Sequence, residues 1–263
     1  DSDVPFWTIF TGMIIVNFYY WGTNQAIIQR ALGAKNLKEG QKGLLLAAFL
    51  KILGPIIVVL PGIIAFYIFK GDLANADEAY PMLVKKILPT AFVGFFAAVL
   101  FGAILSSFNS ALNSSVTLFG LDFYKQYIDK TASDVKIVKA GKIFGAFLAI
   151  FSMAIAPLLY GVQGGIFTYL QELNGTHSVP ILAIVIVGIF SKRVTAKGAN
   201  MAILFSVITY LVALYVVRPI SIENDTYFPH FLHLMGIIFA LALIIMFTVS
   251  YFKPRETDYV QEY

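Results

Sequence analysis

The chain contains no cysteine, which removes disulfides, thiolate metal ligands and a cysteine nucleophile together. Charge is scarce as well. Of 263 residues, 13% are Asp, Glu, Lys or Arg, against about 25% in soluble domains. Histidine is rarer still, with three residues; His230 and His233 sit at a helix entry with no third ligand nearby, so a metal site is discounted. The sequence opens Asp1-Ser2-Asp3, with no Met and no basic segment ahead of an apolar run, so we expect a portion of a longer chain. Apolar residues are what the chain has in excess. They make up 59% of it, with 24 Phe and 14 Tyr, and the mean hydropathy is +0.79. That excludes a water-soluble globule and predicts a multi-pass membrane protein whose surface faces lipid.

Apolar runs of about 20 residues predict seven spans: roughly 6–28, 43–69, 90–119, 140–160, 165–190, 198–217 and 231–252. The polar stretches Lys70–Pro89 and Gly120–Lys139 are expected to be loops. Basic residues orient the chain, because short cytoplasmic loops are rich in Lys and Arg. Alternate loops carry fourteen of them (Arg30, Lys35, Lys38 and Lys42 in the first group), whereas the opposite set has Lys70, Lys85, Lys86 and Arg218. The N-terminus is therefore expected outside and the C-terminus inside. The net charge of +4 is mostly topology, and no exposed face interleaves basic and aromatic residues as a nucleic-acid partner requires.

The few polar residues inside the spans point to function, since unsatisfied polar groups are costly in lipid. Asn17, Tyr20, Trp21 and Asn24 share one helical face at i, i+3, i+4 and i+7, with Gly22 in its midst. That face suits a hydroxylated ligand, or packing against another helix. Ser107, Ser110, Ala111, Ser114 and Ser115 form a second stripe. Its hydroxyls and a freed Ala111 carbonyl would make half a cage for a hard cation, or a small-residue seam for close packing. A kink is expected at Gly54-Pro55 and at Pro61-Gly62. In the fifth span the polar run Gln171–Pro180 predicts a break in the helix. Lys51 and Glu172 lie within spans; Glu172 can pair with Lys51 or reach water. His177 is a candidate proton carrier or a satisfied buried histidine. Asn174-Gly175-Thr176 and Asn224-Asp225-Thr226 match the glycosylation pattern by chance.

The run Asn17-Phe18-Tyr19-Tyr20-Trp21-Gly22-Thr23-Asn24-Gln25, continuing through Gln29-Arg30 to Gly33-Ala34-Lys35-Asn36, resembles the sodium/solute symporter family, most strongly its sodium/glucose and sodium/galactose cotransporters. Phe108-Asn109-Ser110-Ala111-Leu112-Asn113-Ser114-Ser115, Leu121-Asp122-Phe123-Tyr124-Lys125 and Tyr169-Leu170-Gln171 extend the likeness. The resemblance implies an all-α, leucine-transporter-like fold of two inverted five-helix repeats. Residues 1–193 would be the second repeat and 194–263 two peripheral spans with a cytoplasmic tail. The first repeat would be a missing partner carrying the other half of each site. The resemblance further implies sodium-coupled symport of a hexose such as galactose or glucose across the inner membrane, with no organic cofactor. In that reading Asn17, Lys51 and Gln171 bond the sugar, and Tyr20 stacks beneath it as the inner gate beside Trp21. Phe167 helps close the outer side. Ala111 through its carbonyl, with Ser114 and Ser115, holds the co-transported sodium.

Rival readings have less behind them. Another small solute would need the same architecture. A seven-span receptor or retinal protein matches the span count, and Lys51 could carry a Schiff base, but the spans hold no Asp counter-ion. A channel is a further possibility. No nucleophile–base pair or ligand cluster suggests an enzyme.

Overall fold

The computed structural model describes residues 4–69, 73, 76–159 and 165–253. Asp1–Asp3, Lys70, Tyr160 and Arg255, which entered the span and charge readings, lie outside the described residues. Eleven α-helices follow one another among the described residues: α1 Gly12–Gly22, α2 Gln25–Leu32, α3 Leu37–Lys51, α4 Leu60–Phe69, α5 Ala79–Ile87, α6 Thr90–Leu118, α7 Asp134–Ile155, α8 Ile166–Phe190, α9 Ala196–Val212, α10 Arg218–Glu223 and α11 Phe231–Phe252. Shorter 3-10 and π turns join some of them, so six helical segments are long and apolar enough to cross a membrane. These correspond to six of the seven expected spans.

The exception is the first. A 3-10 turn at Phe6–Phe10, α1 and α2 replace the continuous helix expected over 6–28. The chain leaves helical geometry at Thr11 (φ −120°, ψ −106°) and again at Thr23-Asn24. At the second break Tyr19 O accepts from Thr23 N, Thr23 Oγ1 and Asn24 N at 2.9, 2.9 and 3.0 Å, while Asn24 Oδ1 accepts from Ala26 N at 2.9 Å and starts α2. Short polar side chains thus take over hydrogen bonds that the helix gives up. The first break is covered by protein. Thr11 Oγ1 lies 3.1 Å from His233 Nδ1 of α11, and a Cβ on Gly12 would overlap the backbone of Leu232.

Gln171–Pro180 is not a break: α8 runs through it unbroken, with Pro180 inside the helix. The expectation failed because most of these residues meet protein, His177 being the exposed one. Gly175, Ser178, Val179 and Pro180 are buried, and Glu172 and Asn174 have side-chain partners. Nor is Gly120–Lys139 wholly a loop. The α6 helix continues as a π-helical segment to Ile128, and α7 begins at Asp134. The turn between them is built on Asp129, whose Oδ1 accepts from Thr131 N and Oγ1 at 3.1 and 2.9 Å. That Thr131 hydroxyl, with Lys136 nearby, holds the Asp129 carboxyl below the usual carboxylate range. The Gly54-Pro55 kink is present as a break at Ile52-Leu53 and a π turn at Pro55–Val59, whereas at Pro61-Gly62 the helical backbone runs on from that turn through Leu60 (φ −59°, ψ −45°) into α4 without a break.

The helices form two compact units, residues 1–27 with 167–263, and residues 28–166. In the first unit Ile15, Val179, Leu182, Tyr210, Leu214, Met235 and Ile238 share one core, and Ala183, Val187, Ala202, Ala242 and Met246 a second. Close approach depends on glycine, since a Cβ on Gly175 would overlap the Tyr210 ring and hydroxyl. In the second unit Gly141 and Gly145, four residues apart on α7, receive Val116 of α6, with Cβ positions 2.8 and 2.9 Å from its methyls, a small-residue seam of the kind membrane helices use. Its remaining faces carry Phe49, Phe66, Phe95 and Phe101 outward, as lipid contact requires.

These contacts predict that Gly175→Val and Gly145→Leu each destabilise the intact protein by about 1–3 kcal/mol through overpacking. Gly43→Ala, whose Cβ meets open space, should be neutral or stabilising. Thermal unfolding in detergent measures the contrast.

Candidate substrate and cation site

The expected sugar-binding residues fall in both units. Asn17, Tyr20 and Trp21 lie on α1 and Phe167 and Gln171 on α8, all in the first unit; Lys51 closes α3 in the second. On α1 a groove of about 540 Å³ is lined by Ile9, Met13, Ile14, Asn17, Phe18, Trp21 and Gly22. Its side chains are apolar apart from the Asn17 amide and the indole N–H of Trp21. Asn17 Nδ2 donates to Met13 O at 2.8 Å, which ties one amide hydrogen to the helix and leaves Oδ1 as acceptor. Tyr20 is outside the groove and packs edge-on against Trp21 with ring centroids 5.3 Å apart. A flat indole and an amide beside a helix break can stack on an apolar ring face and bond a hydroxyl.

Gln171 and Phe167 are one turn apart near the start of α8. Gln171 Oε1 accepts from Asn174 Nδ2 at 3.2 Å, so its NH₂ is the part left to donate. Phe167 is exposed. Glu172 pairs with Arg218, Oε1 to Nη1 2.7 Å, where the sequence suggested Lys51 or water. His177 stacks edge-on against Tyr19 at 5.6 Å. His230 caps α11, its Nδ1 accepting from Leu232 N.

The cation stripe lies wholly on α6. Ser114 is buried, and Ser115 Oγ donates to Ala111 O at 3.0 Å. Here α6 is continuous helix, so the Ala111 carbonyl is already occupied and a cation would have to displace the Ser115 proton from it. Ser110 Oγ donates to Ser106 O at 2.8 Å and accepts from Arg30, a contact that composition and spacing did not suggest. The α1–α2 break was also missed. Its signal was present in Gly22-Thr23-Asn24, three poor helix formers at the end of the polar face.

The sequence matches the model of the sodium:solute symporter family over residues 1–206. The chain belongs to this family, a family of multi-pass membrane transporters rather than enzymes. It is 42% identical over 258 residues to the uncharacterized symporter YidK of Escherichia coli, covering 98% of this chain and 44% of the relative. With the sodium/glucose cotransporter of Vibrio parahaemolyticus it shares 43% over 212 residues, covering 74% and 39%, and with human sodium/myo-inositol cotransporter 2, 32% over 290 residues, covering 98% and 42%. The chain therefore spans less than half the length of these relatives. Among solved structures a Na+-coupled sialic acid symporter, substrate-bound and outward-open, superposes with a TM-score of 0.76 at 24% identity over 95% of this chain and 50% of its own. That establishes the leucine-transporter-like fold class expected above.

Removing the Asn24 side chain (Asn24→Ala) should cost about 1 kcal/mol, the usual worth of an N-terminal cap, and lower the midpoint of thermal unfolding of the intact protein by about 1 °C. Asn24→Asp and Asn24→Ser, which keep an acceptor, should stay near the original midpoint.

Proposed function

We propose that this chain is the second inverted repeat, residues 1–193, and two peripheral helices, 194–263, of a symporter that couples inward sodium flow to uptake of a hexose by alternating access. Asn17, Lys51 and Gln171 bond sugar hydroxyls, Tyr20 closes the inner side with Trp21 against it, and Phe167 closes the outer side. Ala111 O, Ser114 and Ser115 take the sodium ion. The observation that carries the reading is the broken first helix: the chain leaves helical form directly beside a face of amide and aromatic side chains, which lipid tolerates only where a site or protein covers it. Likeness to a relative named for sodium and glucose supports the hexose. Likeness to one named for myo-inositol supports a second reading, a cyclic polyol, since amides and a phenol recognise hydroxyls on either ring.

The energetics suit a neutral solute. Each sodium entering adds about 2.3 kcal/mol per 100 mV of membrane potential, and a neutral solute brings no charge of its own. Sodium replaces the Ser115-to-Ala111 hydrogen bond with cation coordination, so sodium binding changes the α6 backbone environment as well as its charge.

In vesicles bearing the intact protein, an inward sodium gradient should drive accumulation of galactose, glucose or myo-inositol, and the preferred solute identifies the substrate. Ser115→Ala should raise the sodium concentration for half-maximal uptake about tenfold, and Gln171→Ala should raise KM for the solute with a smaller effect on maximal rate. Equal uptake without a gradient would overturn the reading.

A further inference from the structure

Gln171 is surrounded by contacts that the sodium and sugar roles leave unused. On α8 each residue advances about 100° around the axis, so Glu172 lies a fixed angle from Gln171 and Asn174 returns close to the same face. Glu172 is held by Arg218 at 2.7 Å, with 15% of its side chain exposed against 41% for Arg218. Arg218 opens α10 directly after a π-helical turn at Ala213–Val217, a distortion that re-aims side chains and recurs at functional sites. One turn further along α8, Gly175 meets Tyr210 of α9 with no room for a Cβ. Asn174 Nδ2 donates to Gln171 Oε1.

We propose that Arg218, through Glu172, and Asn174 are positioning residues for Gln171. The ion pair and the Gly175–Tyr210 contact stop α8 from turning about its axis. Asn174 occupies one lone pair of the amide oxygen, which fixes the orientation of the amide and presents the Gln171 NH₂ to donate to a solute hydroxyl oxygen. The inference rests on the reading that Gln171 contacts the solute. It makes the helix pair after the repeat a part of the binding site's scaffold, and it predicts that the site selects solutes with an oxygen acceptor at that point.

The test uses the intact protein carrying Glu172→Arg, Arg218→Glu, the double charge swap, or Arg218→Lys. In sodium-driven galactose uptake each single reversal should raise KM about fivefold or more with maximal rate within about twofold, while the swap and Arg218→Lys should return KM to within about twofold of the original. A second readout needs no transport. The Gln171→Cys variant, in a background without other cysteines, is alkylated with an impermeant maleimide; Arg218→Glu should change the rate more than about threefold, and the swap should restore it. Unchanged KM and alkylation in the reversals, or loss in a folded swap, would overturn the proposal. Absent uptake by the unmodified protein with the alkylation pattern as expected would overturn the symport reading and leave the positioning of Gln171 standing.

Discussion

Hydrocarbon supplies no hydrogen bonds, so every backbone amide in a spanning segment needs a partner from the protein itself. The rest of this structure follows from that constraint. Among the described residues six segments meet it by staying helical, with π or 3-10 turns where the α-helix gives way and one short break at Ile52-Leu53. The first segment meets it by recruiting side chains: Thr23 and Asn24 satisfy groups around one break, and Thr11 rests on α11 at the other. Wherever the helix yields, backbone or side-chain polar groups become available to something other than the helix, and the polar-aromatic face of α1 stands beside such a place.

Much of the fold was legible because hydropathy and helix length measure the same thing, the thickness of the apolar layer. The seventh expected span, 231–252, coincides with α11. The helix breaks were less legible, and for a definite reason. Polarity along the chain reads as weakness in the helix, yet most polar residues of 171–180 are paired or partly buried and leave α8 intact. The true break at Thr23-Asn24 comprises two residues, too few to depress a hydropathy average. What distinguished them was local chemistry, the capacity of Thr and Asn to bond their own backbone. Glu172 shows the same limit, since its partner Arg218 is 46 residues away and no periodicity links them. The amide and aromatic side chains of the candidate site were visible as a helical stripe. Their hydrogen-bond polarity, which decides whether Asn17 and Gln171 accept or donate, came only from the contacts of Met13 and Asn174.

The same stripe logic applies differently on α6. There the serines and Ala111 lie on an unbroken helix, and Ser115 and Ala111 already satisfy each other. A cation arriving at such a place competes with a hydrogen bond rather than filling a void, which ties its residence to the protein's own rearrangement. Coupling between ion and solute needs this property, because an ion that bound without disturbing the protein would shift no equilibrium.

Gly12 and Leu232 touch backbone to backbone, and Thr11 meets both His233 and Gly236. With no side chain between them to act as a cushion, α1 and α11 cannot slide past each other without parting that seam. A tilt of the helix that carries Asn17, Tyr20 and Trp21 would carry α11 with it, and α11 turns Ile237, Ile244 and Phe247 outward toward lipid. Bilayer thickness and stiffness would then act on α1 through a helix that lines no part of its groove.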